Sequence, residues 1–133
     1  MSANPQENEK LPSKSESYWL KNLTVPSFHS LQEDKQVDVV IVGGGITGLT
    51  TAYLLGNEGL KVAVLEANRV LNGTTGHTTA KITAQHGLIY DELIRNAGEH
   101  IAKCYYEANT EALHFIQQTI RQHKINCDFL QQD

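Results

Sequence analysis

Two apolar runs flank a periodic segment in the middle of the chain. Val37–Val42 is rich in residues that favour strands, and Lys61–Leu65 repeats that character. Between them, Ile46–Asn57 carries apolar residues at helical spacing, with Ala52 and Leu55 on the inner face. Gly59 suits a left-handed position just after the helix. The pattern predicts a strand, a helix and a second strand, paired in parallel through a right-handed crossover.

The second half of the chain reads as mainly helical. We predict a short helix over Tyr90–Asn96, which ends at Ala97-Gly98. A longer helix should run from about Glu99 to His123, because an apolar stripe recurs over six turns. The stripe comprises Ile101, Tyr105, Ala108, Ala112, Ile116 and Ile120. A third strand is predicted over Ile125–Leu130.

The N-terminal part of the chain differs in composition from the rest. Residues 1–17 are polar and contain Pro5 and Pro12, so we predict a flexible tail there. Tyr18, Trp19 and nearby leucines should anchor this end on the domain or on a partner surface. Residues 18–133 would then be the N-terminal part of one α/β domain. A doubly wound dinucleotide-binding sheet needs more than three strands, so we expect this segment to be the front end of a larger protein.

The turn after the first predicted strand carries a glycine fingerprint. Gly43, Gly45 and Gly48 have Gly-x-Gly-x-x-Gly spacing between a strand and a helix, and Glu66 closes the second strand. Gly43 allows the tight turn, Gly45 lets a diphosphate approach the backbone, and Gly48 allows close helix packing. The helix from Ile46 presents free N–H groups and a positive dipole to the diphosphate. The alternative is a glycine-rich turn that binds nothing.

The acid at the end of the second strand adds ligand specificity to this prediction. A carboxylate at Glu66 can accept hydrogen bonds from both hydroxyls of an adenosine ribose. It would also repel a 2′-phosphate, which argues against NADP.

A long polar loop follows Glu66. Residues 67–87 contain three glycines and five threonines, whose hydroxyls and amides could reach phosphate or ring atoms. The ionisable candidates are His77, Lys81 and His86. The alternative for each of these three side chains is that it only solvates the loop.

Composition and charge exclude several classes of protein. The net charge is −4 and no basic face is evident, so nucleic acid is an unexpected partner. Cys104 and Cys127 form no CxxC pair, which suggests a reducing compartment. The N-terminus lacks the apolar core of a signal peptide, and no apolar run could span a membrane. We therefore expect a soluble, cytoplasmic protein.

The fingerprint and the loop together resemble a known family. Val39–Glu66 and the following Thr/Gly-rich loop are similar to the FAD-dependent oxidoreductases of the D-amino-acid oxidase (DAO) family. Ser17–Leu20, Gly73–Thr83 and Cys127–Phe129 look closer to a branch that carries a C-terminal Rieske [2Fe–2S] domain. The resemblance covers residues 15–133. It implies a Rossmann-like FAD-binding domain, incomplete here, with a long helical insertion after the second strand.

The resemblance also implies which residues hold the cofactor. The three fingerprint glycines would hold the FAD pyrophosphate, Glu66 would hold the adenosine ribose, and the loop would run towards the isoalloxazine. The predicted cofactor-binding residues are Gly43, Gly45, Ile46, Thr47, Gly48, Glu66, Ala67, Asn68, Arg69, Thr74, Thr75, Gly76, His77, Thr78 and Thr79. The loop reads Thr74-Thr75-Gly76-His77 where relatives often read Ser-Gly-Arg, so this transfer is positional. No residue of this chain matches the substrate-binding or Rieske ligand residues of such proteins.

Three functions follow as hypotheses. The first is a flavin-dependent oxidoreductase that acts on a small amine or amino-acid-like substrate and passes electrons to a Rieske centre in the full-length protein. The second is part of an NAD-dependent Rossmann enzyme, although the long loop and the helical insertion favour FAD. The third is a non-catalytic piece that self-associates through exposed apolar edges. In each case we expect this segment alone to be inactive.

Overall fold

A computed structural model of the chain describes residues 17–21 and 23–132. Its internal contacts divide the chain into two compact units, residues 1–79 and residues 80–133. The flexible tail predicted over residues 1–17 lies outside the described residues except for Ser17. We describe each unit separately.

The first unit is built on the predicted strand–helix–strand motif. A short helix α1 (Tyr18–Lys21) precedes strand β1 (Val39–Val42), helix α2 (Ile46–Asn57) and strand β2 (Val62–Leu65). A 3₁₀ helix follows at Thr74–His77. The bounds of α2 agree with the prediction, and the strands are one or two residues shorter than predicted.

The two strands pair in parallel, which confirms the predicted arrangement. Val39 lies opposite Val62, and Val42 lies opposite Leu65. Helix α2 packs on this pair, and its predicted inner positions Ala52 and Leu55 are half-buried. Gly59 has φ +83°, the left-handed geometry expected after the helix. The parallel pair therefore brings the turn after β1 and the end of β2 to the same edge.

The second unit contains two helices that pack together. Helix α3 (Ile89–Ala97) is followed at once by helix α4 (Glu99–His123), close to the predicted bounds. The Tyr90 ring packs edge-to-face with Tyr105 and Tyr106, with 6.0 Å between ring centroids in both pairs. None of the described helices combines the length and apolar character needed to cross a membrane.

The apolar stripe of α4 is shifted from the predicted one. Ala102 is buried, and Tyr105, Leu113 and Ile116 are half-buried. Three predicted stripe positions, Ile101, Ala108 and Ala112, are exposed. Packing against α3 selects a face that includes polar residues, and apolar identity alone does not reveal that choice.

The predicted third strand is wrong. Ile125–Leu130 has no strand structure, and the sheet of the described residues consists of β1 and β2. A strand is stabilised by hydrogen bonds and side-chain pairs with a neighbour. In the described residues β1 and β2 pair only with each other, so the strand propensity of Ile125–Leu130 alone does not make it part of a sheet.

Candidate functional site

The site begins with the tight turn after β1. Gly43 has φ +106°, a conformation that disfavours any side chain, and its N–H donates to Leu65 O at 2.8 Å. Gly48 lies directly above this turn. A Cβ on Gly48 would stand 2.0 Å from Gly43 O and 3.2 Å from Ile41 Cγ2. The roles predicted for these two glycines, a tight turn and close helix packing, therefore match the geometry.

The first turn of α2 adjoins the glycine turn after β1. The N-cap residue Gly45 provides no side-chain cap, and the first backbone bond of the helix runs from Leu49 N to Gly45 O at 3.0 Å. Thr75 supplies a partner from a distant part of the chain, because its Oγ1 accepts from Ile46 N at 2.9 Å. The N–H groups of Thr47 and Gly48 have no acceptor within the helix. This turn can therefore donate hydrogen bonds to an anion, and the helix dipole favours one there.

Glu66 is tied to the backbone by two hydrogen bonds. Its Oε2 accepts from Gly44 N at 2.7 Å, and its Oε1 accepts from Asn68 N at 2.9 Å. These bonds hold the pKa of the Glu66 carboxyl below its ordinary value, and the bond from Gly44 has the largest effect. The side chain is nevertheless exposed. A carboxylate oxygen can accept more than one bond, so Glu66 keeps acceptor capacity for ligand hydroxyls.

The loop after Glu66 returns to the glycine turn. Leu71 N donates to Gly44 O at 3.0 Å, which holds the loop against the turn. The 3₁₀ helix then brings Thr75 to the start of α2. The long polar loop therefore packs back on the fingerprint and forms a second wall opposite it.

These elements enclose a cleft of about 690 Å³, which lies within the size range of small-ligand and cofactor sites. Most of the predicted cofactor-binding residues line it: Gly43, Gly45, Ile46, Thr47, Gly48, Glu66, Asn68, Arg69, Thr74, Thr75 and Thr78. It also contains residues that the sequence analysis did not single out, namely Val42, Gly44, Leu71, Asn72 and Gly73. Of these, Gly44 has the most specific contact, since its N–H binds Glu66. The signal available in the sequence was its place between two fingerprint glycines.

Four predicted residues lie outside the cleft lining: Ala67, Gly76, His77 and Thr79. Gly76 is buried beside Leu20. His77 donates from Nδ1 to Gly73 O at 2.9 Å and lines a separate cavity of about 270 Å³. The other ionisable candidates, Lys81 and His86, do not line the cleft either. Some residues of the loop line the cleft and others lie outside it, and residue type alone did not show which residues line the cleft.

The groups that line the cleft fit the ADP part of a dinucleotide. An ionised acid with spare acceptor capacity suits ribose hydroxyls, and the open helix turn suits a diphosphate. Hydroxyls from Thr74 and Thr75 and the guanidinium of Arg69 add donors around the same space. No group of three or more His, Cys, Asp or Glu residues that could hold a metal ion occurs in the part of the chain that the structure describes.

Comparison with protein-family models identifies the family. The model described as FAD dependent oxidoreductase (DAO) matches residues 38–133. The chain belongs to this family. Its strand–helix–strand unit and long helices are thus part of a Rossmann-like FAD-binding domain, as predicted, and the family favours FAD over the NAD alternative.

Three curated proteins show the similarity over most of this chain. A Bacillus subtilis protein named as a Rieske 2Fe-2S iron-sulfur protein, YhfW, is 54% identical over 118 residues, which are 89% of this chain and 23% of that protein. Gamma-glutamylputrescine oxidoreductase of Escherichia coli is 31% identical over 77% of this chain and 24% of its own length. A Haemophilus influenzae protein named as an oxidoreductase, OrdL, shows the same identity and coverage. The chain therefore spans about a quarter of the length of these relatives. No solved structure matches it.

Proposed function

We propose that this chain forms the ADP-binding half of the FAD site in a flavin-dependent oxidoreductase that acts on a small amine or amino-acid-like substrate. One observation carries the proposal: the Glu66 carboxylate and the open first turn of α2 line the same cleft. One cleft therefore offers an acceptor for the ribose hydroxyls and donors for the diphosphate, which are neighbouring parts of the ADP moiety of FAD.

Each part of the cleft has a role in this proposal. Glu66 accepts hydrogen bonds from the ribose hydroxyls, and the backbone N–H groups that lower its pKa further favour the ionised form, which accepts hydrogen bonds. The N–H groups of Gly45, Thr47 and Gly48 donate to the diphosphate, and Thr74, Thr75 and Thr78 provide hydroxyls on the opposite wall. Arg69 balances the ligand's negative charge. Bound FAD would supply a hydride acceptor, which this chain positions through its ADP moiety.

The substrate class and the electron acceptor rest on the family and on the relatives. One relative is named for gamma-glutamylputrescine and another for a Rieske 2Fe-2S protein. We infer that the full-length protein oxidises a C–H bond next to nitrogen and passes electrons to a [2Fe–2S] centre outside this chain. Low-temperature electron paramagnetic resonance of the reduced full-length protein tests this, because a Rieske signal that is absent from an iron-loaded sample would refute the acceptor.

FAD titration tests the cofactor assignment directly. Purified protein should retain a visible flavin spectrum or bind added FAD. Gly45→Leu should abolish FAD binding, because a side chain there meets Thr75 Oγ1 about 3.2 Å from its Cβ and fills the cleft. Gly56→Leu is the matched control, since a Cβ on Gly56 meets nothing within 4 Å. Equal FAD affinity in both variants would refute the site.

Self-association is a second candidate property, favoured by the exposure of the sheet. Val40 and Val42 of β1 are 54% and 85% exposed. Among the described residues, Ala102 is the one hydrophobic residue that is buried, and it is still 6% exposed. Open apolar strands promote contacts with other copies. Light scattering of the purified chain tests this, and a monomer that binds FAD tightly would refute it.

The proposed cytoplasmic location rests on the two thiols. Cys104 and Cys127 are both free and exposed, as expected in a reducing compartment. Fractionation with an antibody against the protein tests this location.

A further inference from the structure

Helix α1 and Ser17, the residue before it, hold the end of the 3₁₀ helix and the residue after it through two side-chain hydrogen bonds. Ser17 Oγ donates to Gly76 O, and Trp19 Nε1 donates to Thr78 O at 2.7 Å. Both bonds join residues that are 59 positions apart in the sequence. Two backbone carbonyl groups of the Thr/Gly loop are therefore fixed by a segment far from the fingerprint.

Apolar packing reinforces these bonds. Gly76 is buried, and a Cβ at this position would stand 3.0 Å from Leu20 Cδ2 and 2.5 Å from Leu71 O. The absence of a side chain at Gly76 thus lets Leu20 pack directly on the loop backbone. This explains why Gly76 is outside the cleft although Thr75 beside it lines the cleft.

The same few residues form the wall of the cleft on their other side. Thr75 directly precedes Gly76, and its Oγ1 accepts the N–H of Ile46 at the start of α2. Thr78, whose carbonyl binds Trp19, also lines the cleft. The loop is therefore held between α1 on one side and the cofactor cleft on the other.

We propose that Ser17, Trp19 and Leu20 act as positioning residues for the diphosphate part of the cofactor site. They hold the 3₁₀ helix so that Thr75 and Thr78 face the glycine turn, and the docking of α1 and the binding of the dinucleotide stabilise each other. This inference rests on the proposed function. Because such coupling is reciprocal, the ligand must favour docked α1 by the same factor by which docked α1 favours the ligand.

We call the contacts of Ser17, Trp19 and Leu20 with the loop the clamp. The first experiment measures FAD and ADP affinity in variants in which one of these contacts is removed. Ser17→Ala and Trp19→Phe each remove one donor, and each should weaken binding about three- to tenfold, the usual effect of one lost hydrogen bond. Ser17→Thr keeps the hydroxyl and should restore affinity. Tyr18→Phe is the matched control, because the Tyr18 hydroxyl makes no hydrogen bond within the described residues and the side chain is 66% exposed. Circular dichroism confirms that all variants are folded.

The second experiment uses Trp19, the sole tryptophan of the chain, as a reporter. Its side chain is 40% exposed and therefore open to a soluble quencher. Saturating ADP, which does not absorb tryptophan emission, should reduce acrylamide quenching of the unaltered protein by tightening α1 on the loop. The same addition should have a smaller effect on Ser17→Ala.

The outcomes separate the clamp from the proposed function. If the unaltered protein binds FAD and both donor-deletion variants bind it equally well, the clamp is refuted and the FAD site stands. Quenching that ADP leaves unchanged while it binds would also refute the clamp. If the unaltered protein binds neither FAD nor ADP, the proposed function fails and the clamp fails with it.

Discussion

The hydroxyl oxygen of Thr75 accepts the backbone N–H of Ile46 at 2.9 Å, across 29 positions of sequence. Helix α2 has no side-chain cap from its own N-cap residue, Gly45. A residue of the loop after Glu66 therefore performs the capping that a neighbouring serine or aspartate usually provides. Folding of the loop and stability of the helix start are linked through this one bond.

Replacing Thr75 should affect both stability and binding. Thr75→Val keeps the shape of the side chain but leaves Ile46 N without its partner, which should cost about 1 kcal/mol of unfolding free energy. Denaturant unfolding measures this cost, and an FAD titration should show weaker binding. Thr75→Ser should recover most of both. Thr24→Val, at an exposed position outside the cleft lining, is the control and should change neither.

Two glycines of α2 should respond oppositely to alanine. Gly48→Ala places a methyl group 2.0 Å from Gly43 O, so the helix must move away from the turn. We expect a loss of about 1–3 kcal/mol in unfolding free energy, as for other overpacked positions, together with loss of FAD binding. Gly56→Ala meets nothing within 4 Å and should gain roughly 0.5–1 kcal/mol from helix propensity. Thermal unfolding of both variants is the measurement, and a stable Gly48→Ala protein that retains FAD would contradict the packing argument.

Removing the carboxylate of Glu66 should weaken cofactor binding strongly. Glu66→Ala deletes a charged acceptor for the ribose and also releases Gly44 N. Loss of one charged hydrogen bond corresponds to roughly a 10- to 100-fold rise in the dissociation constant for FAD. Glu58→Ala removes the same charge from an exposed residue outside the cleft and serves as the control. Unchanged affinity in Glu66→Ala would exclude Glu66 from the site.

The low pKa of Glu66 predicts how pH acts on the site. Backbone N–H groups stabilise the ionised form in the folded state, so the folded pKa lies below the ordinary glutamate value of about 4.5. The stabilising contribution is therefore fully present above 4.5 and is lost as the pH falls through the lowered folded pKa. Denaturant unfolding measured from neutral pH downwards should show this loss. In Glu66→Gln, which does not titrate, that component of the pH dependence should be absent.

Local patterns predicted the central motif well. Helix α2 begins and ends where the periodicity placed it, because its fingerprint glycines and the terminal Gly59 mark both ends. Strands β1 and β2 and helix α4 were also placed closely. The bounds of these elements are set by residues close together in the sequence, so the sequence alone is enough to predict them.

Long-range packing accounts for the errors. Ile125–Leu130 has the residues of a strand, but strand formation also requires an adjacent edge. Gly76 and His77 look like cofactor-loop residues, yet Gly76 faces Leu20 and His77 binds Gly73 O. Gly44 was missed because its role depends on Glu66, 22 positions later. Each error concerns which partner a residue meets, and residue type alone does not specify that partner.

The peptide groups of Gly44 are held on both sides, since its N–H binds Glu66 and its carbonyl accepts from Leu71 N. Glu66, which we propose accepts the ribose hydroxyls, thus also holds the turn in place. A change of cofactor preference towards a 2′-phosphate would require removal of that acid, and with it the loss of a structural bond. Substitution of Glu66 therefore alters the geometry of the glycine turn as well as the acceptor for the ligand, so ligand preference and turn stability depend on the same side chain.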